Sequence, residues 1–217
     1  MVIRNGRYGT FSTNRFETGE LEGFIRNAIE MVRMLGEDPC RRLPDPEREA
    51  KDAITGRELG LYDESIERGD SGSRLAKAET MSIFGKVSRE GYSIISEECE
   101  YSESYDDSFL IDSQGFEGRH TESSYNCFTE ITVQDDEGCK YSGYWWEASP
   151  FFGEMKLAEC SRTALERAVR QIGPQNRRSG RYKMVVDGAV ASRLVSPLIN
   201  ALNASAIQQK MSFLEDS

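Results

Sequence analysis

The sequence is poor in the residues on which most metal and acid–base chemistry depends. Among 217 residues there is one histidine, His120, so a His-based zinc site, a His-dependent triad and a His proton shuttle would all draw on the same imidazole. The five cysteines, Cys40, Cys99, Cys127, Cys139 and Cys160, are odd in number and contain no C-x-x-C pair. Neither a disulfide framework nor a zinc ribbon is indicated, and reduced, mostly buried thiols are expected. Long apolar runs are missing too, because no window reaches the roughly eighteen residues of a membrane-crossing helix. Positive charge is in deficit, with 27 Lys plus Arg against 37 Asp plus Glu and a net charge of −10. Nucleic acid and anionic membranes are therefore poor default partners. Residues Met1 to Gly6 carry no signal-peptide pattern, and the expected compartment is the cytoplasm.

The apolar content is enough for a core: 38% of the residues are apolar and 10% aromatic. Val2 to Thr13 alternates around Asn5-Gly6, a dipeptide suited to a type I′ turn, and predicts two short strands. Leu21, Phe24, Ile25, Ala28, Ile29, Val32 and Leu35 recur at helical spacing, with Thr18 as the expected N-cap and Gly36 as the stop. Pro39, Pro44 and Pro46 break the chain after this helix, and the polar stretch Glu47 to Asp70 reads as a linker. A second helix is expected over Ser73 to Val87, a strand-rich block over Tyr92 to Ala148 and a third helix over Met155 to Ile172. A strand over Tyr182 to Asp187 and helices around 189–202 and 204–214 complete the pattern. Strands and helices are segregated, which gives an α+β fold with an antiparallel, strand-rich middle and flanking helices. The expected organisation is an N-terminal hairpin plus helix (1–46), a linker (47–70), a central α+β domain (71–174) and the start of a further domain (175–217).

Within the strand block, residues 125 to 133 alternate in period two up to the turn Asp135-Asp136-Glu137-Gly138, which predicts a long hairpin. A symmetric four-residue turn places Cys139 opposite Gln134 and Cys127 opposite Trp146. That register puts Tyr144 and Trp146 on one face and Phe128, Tyr141 and Trp145 on the other, so both faces are expected to be covered. Tyr141, Tyr144, Trp145 and Trp146 are candidates for peptide or partner contact, with core packing an equal explanation. Arg177 and Arg178, in the chain's one local concentration of positive charge, are candidates for clamping an acidic group, against the alternative of a solvated loop. The acidic run Glu97 to Asp107 reads as a solvated strand face. Gly69-Asp70-Ser71-Gly72-Ser73 has the look of a nucleophile turn, but a lead-in to the second helix explains it better. His120 reads as a hairpin-end side chain.

Several landmarks together resemble the TldD/PmbA family, historically called modulators of DNA gyrase. They are Asn5-Gly6-Arg7-Tyr8-Gly9 before a helix, Leu43-Pro44-Asp45-Pro46 after it, Leu61-Tyr62-Asp63, Asp112-Ser113-Gln114-Gly115-Phe116, Tyr144-Trp145, Gly180 to Asp187, and Ser205 to Leu214. The resemblance covers nearly the whole chain. It implies cytoplasmic paired subunits in which a TldD-type member carries a His-Glu-x-x-x-His zinc motif and cleaves unfolded or modified peptides. The PmbA/TldE-type member lacks the motif and completes the dimer. Laid along this chain from Met184 to Val186, the motif falls on Ser196, Pro197 and Ala201, which implies no catalytic residue and no metal site in this chain. Zinc is then expected in a TldD-type partner, although a homodimer is also compatible. The resemblance further implies additional elements before residue 1 and a large domain after residue 217. Met211, Phe213 and Leu214 are expected to be exposed without it, favouring association or poor order.

Overall fold

The computed structural model describes residues 1–51, 54–66, 69–87 and 90–214. Residues 52–53 and 67–68 of the expected linker, and 215–217 at the end of the last segment, lie outside the described residues. The chain forms two compact units, Met1–Ile172 and Gly173–Ser217.

The first unit opens with the hairpin β1 (Val2–Arg4) and β2 (Arg7–Gly9). Asn5 and Gly6 both take positive φ, 51° and 70°, as a type I′ turn demands. Helix α1 (Thr18–Arg33) buries Ala28 and Val32. Its N-cap is Glu17 rather than Thr18, and the cap carbonyl accepts from the amides of Glu20 and Leu21. Helix α2 (Ser71–Met81) starts at Asp70, whose carboxylate accepts from the Ser73 amide at 2.7 Å. The glycine-serine turn at 69–73 is thus a helix cap.

The centre of the unit is an antiparallel sheet in the order β3 (Tyr92–Ile111), β4 (Glu117–Asp135), β5 (Lys140–Ser149). Helix α3 (Leu157–Val169) packs on β4 and β5, while α2 packs on β3. Odd-numbered residues of β4 face these helices. Ile131 and Val133 join Ala164, Leu165 and Ala168 in one cluster, and Cys127 joins Met81 and Cys160 in another. Full burial of a side chain such as Ile131 stabilises by roughly 2–3 kcal/mol. α3 approaches so closely that a Cβ on Gly143 would lie 2.3 Å from the Ala168 amide nitrogen.

The β4–β5 hairpin differs by one residue from the symmetric turn. Asp135 O accepts from the Gly138 amide, Gly138 takes φ +84°, and the Asp135 amide donates to Cys139 O. This is a type I turn followed by a glycine bulge, with three loop residues rather than four. Gln134 therefore pairs with Lys140, Cys127 with Glu147 and Phe128 with Trp146. All five cysteines are free thiols.

Residues 54–66 do not hang free. The Gly56 and Leu61 carbonyls accept from the Thr121 and Ser123 amides of β4, and Tyr62 and Ile66 are buried against Tyr125.

In the second unit, α4 (Gly188–Ala201) begins at the Asp187 cap and α5 (Ala204–Gln208) at the Asn203 cap. The strand expected over Tyr182 to Asp187 does not form: that segment has no ladder partner among the described residues, and Val185 is 94% exposed. Apolar alternation alone cannot make a strand without a second edge to satisfy its amides. Met211 and Phe213 are exposed, and Leu214 is partly buried.

Candidate functional site

Alternation along β5 separates the four aromatic candidates. Tyr141 and Trp145 lie on the helix-covered face, packed against the Ile131–Ala164 cluster, with the Arg167 guanidinium 4.3 Å from the Trp145 ring centre. Tyr144 and Trp146 lie on the opposite face, where the observed register brings Phe128 beside them. A symmetric turn would put Phe128 on the face of Tyr141 and Trp145, and the glycine bulge moves it across. The ring centres of Phe128 and Tyr144 are 6.2 Å apart, and those of Tyr144 and Trp146 are 6.4 Å apart. Trp145 and Trp146 still approach to 5.4 Å around the sheet edge.

Among the described residues, the elements of this unit cover one face of the sheet. Tyr144 is 36% and Trp146 43% exposed, and helices α2 and α3, which pack on the sheet, lie on the odd-numbered side. On the open face, the even-numbered residues of β3 and β4 place Glu98 opposite Glu130, Glu100 opposite Phe128 and Asp106 opposite Glu122. The basic side chains of that parity are Lys140 at one corner and His120, which sits 3.1 Å from Glu122.

The acidic run of β3 is therefore not a single solvated face. Its members Glu97 and Glu103 turn inward. Glu97 accepts from Ser82 Oγ and from the Ile83 and Phe84 amides, holding the chain just after α2. Glu103 has a side chain only 1% exposed and binds Arg74 Nε at 2.6 Å, Lys77 Nζ at 3.0 Å and Tyr101 Oη at 2.7 Å. Burial pushes its carboxyl up, but the hydrogen bonds from Tyr101, Arg74 and Lys77 outweigh this and leave it below the ordinary glutamate value. Tyr101 is pushed upward by burial and by the Glu103 carboxylate. Lys77 Nζ also lies 4.1 Å from the Phe152 ring centre and 5.1 Å from that of Tyr101. This cluster joins α2 to β3 and is absent from the sequence-based expectations. The available signal is parity: Glu103 shares the inward register of Cys99 and Tyr101, and a carboxylate there requires a partner.

Beside Cys127, the Cys160 thiol is raised by its hydrogen bond with Cys127 and by burial, so it is inert rather than nucleophilic. At the far end of β3 and β4, a hollow of about 610 Å³ is lined by Leu59, Phe109, Leu110, Phe116, Arg119 and His120. Arg177 and Arg178 are exposed in the second unit, where the Arg178 carbonyl accepts from Tyr182 Oη at 2.6 Å. Ser196 and Pro197 lie within α4 and Ala201 is its last residue. Ser196 Oγ donates to Ser192 O at 2.7 Å. A helical hydroxyl, a proline ring and a methyl group do not fit a zinc site.

The family model of the PmbA/TldA metallopeptidase central domain matches residues 61–172. A solved structure of a candidate modulator of DNA gyrase from Bacteroides thetaiotaomicron is 37% identical, with a TM-score of 0.81 over 98% of this chain and 48% of that one. A second, from Thermotoga maritima, shares the fold at 18% identity, with a TM-score of 0.78 over 99% of this chain and 46% of that one. The chain thus spans about half the length of these proteins. No curated protein matches the sequence. No described helix is long and apolar enough to cross a membrane.

Proposed function

Since the chain belongs to the PmbA/TldD metallopeptidase family, we propose that it is a PmbA/TldE-type subunit, without peptidase activity of its own, of a cytoplasmic metallopeptidase acting on unfolded or modified peptides. The observation that carries this reading is α4. Where the family resemblance lays the zinc motif, the chain offers Ser196, Pro197 and Ala201, and none can ligate zinc or act as the base that activates a metal-bound water. In this reading a TldD-type partner, or a second subunit in a homodimer, completes the assembly, and this chain helps to hold the peptide. Tyr144 and Trp146 are the candidates best presented for that contact, because Tyr141 and Trp145 are committed to the core.

The test is cleavage of an unstructured fluorogenic peptide by the protein with and without a TldD-type subunit. Cleavage that requires the partner supports the proposal, and metal-dependent cleavage by this protein alone overturns it. A second reading is a protein that modulates a target such as DNA gyrase or an antitoxin without proteolysis; of these targets, gyrase is the one named for the 37%-identical solved structure. A pull-down that recovers such a target and never a TldD-type subunit would select it.

A further inference from the structure

The open face of the three-stranded sheet combines two features. One is the row Phe128, Tyr144 and Trp146, with Tyr144 and Trp146 stacked at 28° and more than a third exposed. Among the described residues, neither the Tyr144 hydroxyl nor the Trp146 indole N–H has a hydrogen-bond partner. The other is the set Glu98, Glu100 and Glu130 beside that row. Glu98 and Glu130 are directly opposite each other across β3 and β4, an arrangement of like charges that costs stability. None of the three forms an ion pair among the described residues. Their carboxylates are spread along the strands, and no three metal-ligating side chains among the described residues are placed to hold an ion. A point cation is therefore a poor occupant.

We infer that this face binds an unfolded, Lys- or Arg-bearing polypeptide segment laid along the strands. Same-face residues of a strand repeat at roughly 6.8 Å, and an extended segment repeats its own side chains at the same interval. Its cationic side chains can meet Glu98, Glu100 and Glu130 and lie on the Tyr144 and Trp146 rings, while its apolar side chains cover Phe128. Charge complementarity selects this occupant, because the face offers several carboxylates and only Lys140 and His120 at its margins. The inference deepens the reading of the chain as a peptide-handling subunit. The identity of the segment as substrate rests on that reading, whereas the binding belongs to this chain alone.

The test is calorimetry on the whole chain with two unstructured probes of about twelve residues, one alternating Arg and Ser and one alternating Glu and Ser, at about 30 mM and about 300 mM salt. The basic probe should bind and weaken with salt, and the acidic probe should not bind. Glu98→Gln/Glu100→Gln/Glu130→Gln should weaken the basic probe about tenfold. Trp146→Ala should weaken it about two- to fivefold. Glu17→Gln/Glu22→Gln/Glu79→Gln, which removes the same charge elsewhere, should leave it unchanged. Equal binding of both probes, an equal loss in the control variant, an unchanged affinity in the face variant, or equally tight binding of a folded cationic protein such as lysozyme would overturn the inference. Loss of partner-dependent cleavage with this binding intact would count against the subunit reading alone.

Discussion

Replacing Glu103 by glutamine keeps the size of the side chain and removes the charge that Arg74 and Lys77 face across the α2–β3 contact. The Glu103 side chain is 1% exposed, Lys77 21% and Arg74 48%. Arg74 can turn to water when its partner is neutralised. Lys77 cannot do so freely, because its ammonium lies over Phe152 and against Tyr101 and Tyr125. Breaking a buried pair by removing one partner costs about 3–5 kcal/mol. Arg74's exposure and the hydrogen bonds a glutamine retains reduce this to about 2–3 kcal/mol. With a urea dependence of roughly 2 kcal/mol per molar, the unfolding midpoint should fall by about 1–1.5 M. The same carboxyl has a pH signature. Its value in the folded chain lies below that of the unfolded chain, so its stabilisation is complete above the ordinary glutamate value and is lost as pH falls through the lower, folded one. Wild type should therefore lose stability more steeply than Glu103→Gln as pH falls below the ordinary glutamate value. Adding Lys77→Met should restore part of the loss, since an apolar replacement removes the uncompensated ammonium. A midpoint shift under about 0.3 M, or identical pH slopes for the two proteins, would refute this account of Glu103.

Gly143→Ala should lower the melting temperature by about 6–12 °C by circular dichroism, because its methyl would lie 2.3 Å from the Ala168 nitrogen and 2.5 Å from the Ala164 carbonyl. A drop under about 2 °C would show that α3 can shift without loss. A chromogenic disulfide reagent should titrate Cys40 and Cys139 rapidly in the native protein, as both are exposed, react more slowly with half-buried Cys99, and reach Cys127 and Cys160 only on unfolding. Rapid reaction of Cys160 would contradict its burial beneath Trp145 and Leu157.

Much of the fold is legible in the sequence because it arises from local chemistry. Asn5-Gly6 specifies its turn by the positive φ both residues tolerate. The apolar spacing of α1 and the alternation of β4 specify which residues face inward, and the sequence landmarks carry the family. The N-cap of α1 lies one residue before the expected Thr18, and α2 stops at Met81 rather than Val87. Helix ends depend on weak terminal preferences that tertiary contacts override. Here Glu97, far along the chain, captures the amides just after α2.

The site is less legible. Hydrophobic periodicity singles out Tyr141, Tyr144, Trp145 and Trp146, but a one-residue shift in a hairpin moves one strand's side chains across relative to the other's. A single glycine in the left-handed region at position 138 sets that shift and puts Phe128 with Tyr144 and Trp146.

By itself the sequence determined the element types of the first unit, the acidic balance, the scarcity of histidine and the absence of zinc-ligating side chains at Ser196, Pro197 and Ala201. Those properties belong to residue identity and short-range pattern. Only the tertiary structure decided that Glu103 is buried against Lys77 while Glu98 and Glu100 stay in water, and that one aromatic pair of β5 packs in the core while the other is presented. The physical reason is that helices α2 and α3 cover the sheet on one side only, and burial depends on contacts between residues far apart in the chain.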